Sequence, residues 1–272
     1  MDRRDALRIL GTACATSFGP KLLTAAAVAQ EAAPFASYGS GPALLLGPPF
    51  FTVSWAGVDP IAALRRQYLD RLVDRYRVII LDYPPSPGAN PQNLIDASTP
   101  DRICRDILAA ADAAGAERFA WFGYSGGGII GLQLASRTTR LTALICGGWP
   151  PLGGPYKEQL EAVTTAANQN GGMIEKVQLA FNRGLQGWPE RQAVSGFTCP
   201  RMTFAGADDV LIDHGQTLRI GPTIQERREE LERLGWTVRI QDGFRHELYT
   251  RPDLVVPMIR EFLDPLLVKT RD

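Results

Sequence analysis

The sequence predicts an α/β fold: a mostly parallel central sheet with helices on both faces and a small helical lid. Three observations carry the prediction. Short continuous apolar runs alternate with helix-length segments along most of the 272 residues, the pattern of strands buried on both faces and joined by crossover helices. A serine set among glycines, Gly123-Tyr124-Ser125-Gly126-Gly127, separates one such run from the helical segment after it. The alternation breaks over residues 149–199 and then resumes, as expected of an insertion between two strands.

Taken in order, Phe35 to Tyr38 is a candidate short strand and Gly39-Ser40-Gly41-Pro42 a turn. Ala43-Leu44-Leu45-Leu46 has the continuous apolarity of a central strand. Ile61, Leu64, Leu69, Leu72 and Val73 follow helical spacing, which predicts a helix from Asp59 to Arg75. Arg77 to Leu81 is the next strand. Tyr83 to Pro100, rich in proline and asparagine, is a loop with room for a helical turn. Asp101 opens a helix with Ile103, Ile107, Leu108 and Ala111 on one face, closed by Gly115. Arg118 to Phe122 and Leu141 to Cys146 are strands on either side of the helical run that follows Ser125.

Within the insertion, Lys157–Asn168, Met173–Leu185 and Glu190–Ser195 are amphipathic helical segments separated by glycine and proline. After it come a strand at Arg201–Ala205, a charged helix at Pro222–Leu234 and a strand at Thr237–Ile240. A last helix, Pro252–Leu267, buries Leu254, Val255, Met258, Ile259, Phe262 and Leu266.

The N-terminus is different in kind. Arg3-Arg4-Asp5-Ala6-Leu7-Arg8 precedes an apolar stretch, and Ala27-Val28-Ala29 supplies a small-residue cleavage site before Gln30. This resembles a bacterial twin-arginine export signal, although Ala6 stands where that pattern has a large apolar residue. A basic amphipathic helix is the competing reading. Gly19-Pro20-Lys21 interrupts the apolar run short of the ~20 residues a membrane span needs, so no stable anchor is expected after cleavage. The resemblance implies residues 1–29 as a cleavable signal, residues 30–272 as one domain with its lid, and a periplasmic or secreted location. Basic and acidic residues number 29 each. Cleavage removes four of the former and two of the latter, leaving 25 and 27, a balance with no general attraction for nucleic acid. Cys14, Cys104, Cys146 and Cys199 are widely spaced, which excludes a usual zinc site. Buried free thiols are expected for the three in the mature chain.

In an open parallel sheet the reacting groups sit just past the carboxyl ends of strands. Ser125 follows the strand at 118–122, Gly206-Ala207-Asp208-Asp209 the strand at 201–205, and Gly243-Phe244-Arg245-His246 the strand at 237–240. A serine hydroxyl needs a base to take its proton as it attacks. A histidine with an ordinary pKa of about 6.5 suits that task, and a carboxylate orients the imidazole. From Phe35 to the last helix the chain resembles the α/β-hydrolase superfamily, through its Gly-x-Ser-x-Gly turn and through Gly206-x-x-Asp209 and Gly243-x-x-His246. The resemblance implies the α/β-hydrolase fold, Ser125 as nucleophile, His246 as base and Asp209 as the acid, with Asp208 as the fallback. Ser125 as a plain helix N-cap and His246 as a loop histidine are the ordinary alternatives. His214 lies at the wrong end of the chain order for the triad, and Asp82 resembles the family's structural aspartate.

One oxyanion donor is expected at the backbone N–H of Gly126. The other comes, in the family, from the loop after the strand at 43–46. Here that loop is Gly47-Pro48-Pro49-Phe50, and neither proline has an N–H, so Phe50 is expected to supply it. Phe50, Phe51, Trp55, Trp149, Phe181 and Trp188 are candidates for an apolar pocket or simply for core. The function implied is hydrolysis of an ester-type bond in a small, apolar substrate, with no cofactor and no metal. Carboxylesterase, thioesterase, lactonase, amidase and cofactor-free haloperoxidase chemistry are not separated, and oligomeric state is not legible. Two rivals remain. The prolines suit a weakly active scaffold that binds rather than cleaves. Gly126-x-Gly128-x-x-Gly131 formally matches a dinucleotide fingerprint, but the next strand ends in Cys146-Gly147-Gly148-Trp149 without the acidic residue that fingerprint needs.

Overall fold

The computed structural model describes residues 33–268, apart from 54–56, 58, 85–89 and 91. The export signal read from residues 1–29 and the candidate pocket residue Trp55 lie outside the described residues.

Seven strands form the main sheet: β1 (Phe35–Tyr38), β2 (Ala43–Leu46), β3 (Arg77–Leu81), β4 (Phe119–Tyr124), β5 (Leu141–Gly147), β6 (Arg201–Gly206) and β9 (Trp236–Gln241), in the order β1-β3-β2-β4-β5-β6-β9. β1 pairs antiparallel with β3, and every other neighbouring pair is parallel. Period two in the strands splits the core into two layers. Leu45, Ile79, Trp121, Leu144, Cys146 and Val238 face one side. Leu44, Leu46, Val78, Ile80, Phe122, Ile145 and Phe204 face the other.

The first side is covered by α3 (Pro100–Ala113), α4 (Gly126–Ala135), α8 (Gly221–Glu226) and α9 (Arg228–Arg233), which bury Ile107, Leu132, Ile224 and Leu231 there. The second is covered by α1 (Ala62–Leu72) and α10 (Pro252–Val268), through Tyr68, Leu72, Val255, Ile259 and Leu263. The helix α3 starts cleanly: Thr99 Oγ1 accepts from the Arg102 N–H, and Pro100 takes the first turn, where its missing N–H costs nothing. A short α2 (Gln92–Ala97) occupies the proline-rich connection.

Three helices lie between β5 and β6: α5 (Tyr156–Asn170), α6 (Met173–Gly184) and α7 (Glu190–Ser195). Gly171, at φ 60°, ends α5 with the left-handed residue that L side chains disfavour. The carboxylate of Glu190, at the start of α7, accepts the N–H groups of Gly153 (2.7 Å) and Gly154 (3.1 Å) and so ties the insertion to its own entry loop.

Two features differ from the expected elements. Val210–Asp213 (β7) and Gln216–Arg219 (β8) form an antiparallel hairpin in a stretch to which the sequence reading assigns no element. His214 (φ 42°) and Gly215 (φ 81°) make its two-residue turn, the backbone that matches strand twist. The single charged helix expected at 222–234 is two short ones, α8 and α9, joined at Arg227 with φ −103° and ψ 9°.

Candidate active site

The end of β4 sets the position of Ser125. It has φ 55° and ψ −118°, a conformation that costs a non-glycine residue about 1–3 kcal/mol and persists only where its surroundings impose it. Here they do. The Ser125 N–H donates to the Gly147 carbonyl at 2.8 Å, and its carbonyl accepts from Gly128 (2.9 Å) and Ile129 (3.2 Å) at the start of α4. A Cβ at Gly123 would lie 2.3 Å from the Gly127 carbonyl oxygen, and one at Gly127 would lie 2.0 Å from that of Pro48. Only glycine allows strand, turn and helix to meet so closely. Ser125 occupies the N-cap position of α4, yet its side chain makes no capping hydrogen bond. The ordinary N-cap role therefore does not account for the serine.

Asp209 and His246 are brought together from the ends of β6 and β9. Both carboxylate oxygens of Asp209 lie 3.0 Å from His246 Nδ1. Asp209 is fully buried, while the His246 side chain keeps 20% of its exposure. A buried carboxylate needs such a partner, because desolvation penalises it otherwise. With Nδ1 turned to the carboxylate, Nε2 is the ring nitrogen left for chemistry. Glycine again permits the approach: a Cβ at Gly206 would lie 2.1 Å from the Phe244 carbonyl oxygen. The Asp209 carbonyl accepts from both Ile220 and Gly221 at 2.9 Å. Asp208, the fallback acid, is exposed, and its backbone is what meets this region: its N–H donates to the Phe244 carbonyl (3.0 Å) and its carbonyl accepts from the Val210 N–H (2.8 Å). The ring of Tyr124 packs 5.3 Å from the His246 ring, between centroids, and braces it from the β4 side. Sequence reasoning had no signal for that contact. His214 sits in the β7–β8 turn, bonded to its neighbour Asp213 at 2.7 Å.

The expectation for Phe50 fails. Its N–H donates to the Gly47 carbonyl at 3.0 Å, closing a four-residue turn around the cis Pro48–Pro49 peptide. Its ring is fully buried on the second side of the sheet, 4.6 Å from Tyr68 and 5.4 Å from Phe122. The amide assigned to the oxyanion is thus committed within its own loop. Gly126 is free of such crowding, with no atom within 4 Å of a Cβ built on it.

Gly126 opens onto a cavity of about 340 Å³. Pro48, Pro49, Phe51, Ile103, Ile130 and Phe181 make most of its wall apolar, and α6 contributes Val177, Gln178 and Phe181. Of the other aromatic candidates, Trp149 is core, its ring tilted against that of Tyr156 at 5.3 Å, and Trp188 packs edge-on against Tyr156 at 6.0 Å. Two of the three glycines of the formal dinucleotide pattern, Gly128 and Gly131, are spent on packing. A Cβ at Gly128 would approach the Gly147 carbonyl at 3.0 Å, and one at Gly131 the Trp121 ring at 2.7 Å. Cys104 and Cys146 are buried free thiols, and Cys199 is a half-buried one. Among the described residues no group of three or more His, Cys, Asp or Glu side chains is arranged to hold a metal ion.

No family model matches the sequence, and no curated protein does. Solved structures do resemble it. A thermophilic esterase from Thermogutta terrifontis is 18% identical, with a TM-score of 0.60 over 86% of this chain and 93% of that one. E-2-(Acetamidomethylene)succinate hydrolase is 14% identical, with a TM-score of 0.58 over 85% and 94%. Carboxylesterase CesB from Bacillus subtilis is 15% identical, with a TM-score of 0.55 over 84% and 86%. The strand order, the glycine-bounded turn at Ser125 and these likenesses agree: the chain has the α/β-hydrolase fold.

Proposed function

We propose that the protein is a serine hydrolase that cleaves an ester-type bond of a small, apolar substrate through an acyl-enzyme on Ser125. The observation that carries this reading is the buried Asp209 carboxylate bonded at 3.0 Å to His246 Nδ1, on a sheet whose central strand delivers an uncapped serine on a strained turn. In this reading His246 Nε2 takes the Ser125 proton as the hydroxyl attacks the substrate carbonyl, and returns it to the leaving alcohol. Asp209 holds the tautomer and stabilises the imidazolium. The Gly126 N–H, at the start of α4, stabilises the oxyanion. The apolar cavity beside Gly126 receives the acyl group, and the esterases that share the fold make this chemistry the first to test. A panel of acyl esters of graded chain length is the test. Turnover that depends on chain length and disappears in Ser125→Ala supports the reading; turnover that survives Ser125→Ala removes it.

A second reading rests on the loop at 47–50: two prolines and a committed Phe50 amide suit a scaffold that binds without cleaving. Binding of an acyl ester with no turnover by a folded protein favours it. In either case residues 1–29 direct the chain out of the cytoplasm, and recovery of a periplasmic form beginning at Gln30 tests that export. Among the described residues no helix is long and apolar enough to cross a membrane.

A further inference from the structure

In the loop that faces the elbow, Pro48 and Pro49 have no N–H to give and the Phe50 N–H is bonded to the Gly47 carbonyl, and the loop is tied down on both sides. The Gly47 N–H donates to the Phe122 carbonyl at 2.7 Å, the Tyr124 N–H to the Pro48 carbonyl at 3.0 Å, and the Thr52 N–H to the Leu81 carbonyl at 2.9 Å. Arg65, a buried arginine on α1 paired with Asp59, adds its Nη1 to the Phe51 carbonyl at 3.2 Å and the Phe50 carbonyl at 3.4 Å. Bonds on both sides of the turn therefore hold Pro48 and Pro49 at the cavity wall beside Gly126. At the two wall positions where a loop amide would stand, there is a tertiary amide with no hydrogen to give.

From this we infer that Pro48 is a specificity-determining residue: it leaves the site with one backbone oxyanion donor, Gly126, and so restricts it to acyl substrates with good leaving groups. The inference rests on the serine-hydrolase reading above. A poor leaving group, such as an alkoxide, departs through a transition state with nearly full charge on the carbonyl oxygen, where each donor counts most. An aryl, enol or thio ester reacts through an earlier transition state with less charge on that oxygen, and tolerates a missing donor. Loss of one donor in other acyl-transfer sites costs on the order of 10²–10³ in rate, which sets the expected size of the discrimination. Electrons and protons balance as in any acyl transfer: the Ser125 oxygen forms the new C–O bond while His246 takes its proton, the leaving group departs with the old pair and that proton, and water, deprotonated by His246, releases the acid as the proton returns to Ser125.

The test uses one acyl group on two leaving groups, 4-nitrophenyl butanoate and ethyl butanoate, with the wild-type protein and Pro48→Ala. Alanine restores an N–H at position 48. The wild type is expected to favour the aryl ester in kcat/KM by at least about 10²-fold, and Pro48→Ala to shrink that ratio by about tenfold or more, chiefly through faster ethyl ester hydrolysis. A wild-type ratio within about tenfold overturns the inference, since it requires a second donor elsewhere, such as the Phe51 amide. So does an unchanged ratio in a Pro48→Ala protein with wild-type thermal stability. If Pro48→Ala fails to fold, Pro48→Gly, which also restores the N–H, decides by the same change in ratio. Failure of the underlying reading looks different: neither ester is hydrolysed and no acyl group is found on Ser125.

Discussion

Substituting alanine for the two adjacent glycines after Ser125 separates a steric requirement from mere sequence likeness. A Cβ at residue 127 would lie 2.0 Å from the Pro48 carbonyl oxygen, 2.9 Å from its carbon and 3.2 Å from its nitrogen. Ordinary contact begins near 3.4 Å, so loop and helix must part by about 1.4 Å. The same Pro48 oxygen accepts the Tyr124 N–H at 3.0 Å, and a displacement of that size breaks the bond. Overpacking typically costs about 1–3 kcal/mol and the hydrogen bond about 0.5–1.5, so Gly127→Ala should lose about 2–4 kcal/mol. In a domain of this size that lowers the melting temperature by about 4–16 °C. Gly126→Ala is the control: nothing lies within 4 Å of its Cβ, its φ is not positive, and stability should stay within about 0.5 kcal/mol of wild type. Thermal unfolding followed by circular dichroism reads both. Equal melting temperatures for the two variants would refute the claim that residue 127 must be glycine to seat the Pro48 loop.

Two further outcomes follow from named side chains. Asp209→Asn removes the charge that orients and stabilises the His246 imidazolium, and should lower kcat by as much as about 10⁴, whereas Asp208→Asn, exposed and bonded only through its backbone, should leave kcat within about twofold; steady-state kinetics of the pair shows whether the assignment is right. Burial raises the pKa of Glu190 above its ordinary value, so the folded state holds that proton more tightly than the unfolded chain. Its contribution is most favourable below about pH 4.5 and falls as pH rises through the raised value. The stability of wild type relative to Glu190→Gln should therefore improve from pH 7 to pH 4.5, and urea melts of both proteins across that range would show the opposite slope if the burial argument fails.

Much of the fold was legible because parallel strands buried on both faces must be continuously apolar, as in Ala43–Leu46 and Arg77–Leu81, and the helices between them carry one-sided patterns. The helices of the insertion were legible for the same reason, with glycine and proline marking their ends. The β7–β8 hairpin was not. Its strands are four residues each, half their side chains face solvent, and Ile212 is 81% exposed, so no hydrophobic period emerged. The alternation of Val210 and Ile212 before a His-Gly pair was the available signal. At the site, chain order brought forward Ser125, Asp209 and His246, but the choice between Asp208 and Asp209 depends on which carboxylate turns inward, a matter of one residue in a loop. Phe50 was misjudged for a related reason. Missing amides at Pro48 and Pro49 are visible in sequence, but the closure of the turn onto the next amide, with the Phe50 ring drawn into the core by Tyr68 and Phe122, depends on three-dimensional packing.

The central claim, that Ser125 is an activated nucleophile, is tested most directly by mapping the adduct of a fluorophosphonate at peptide level by mass spectrometry. A reactive serine attacks phosphorus and keeps the phosphonyl group, while an ordinary serine does not react. The account predicts a single modification on the peptide carrying Ser125, with none in Ser125→Ala and a strongly slowed reaction in Asp209→Asn. A folded wild-type protein that stays unmodified, or one modified at another residue with Ser125 intact, would contradict it.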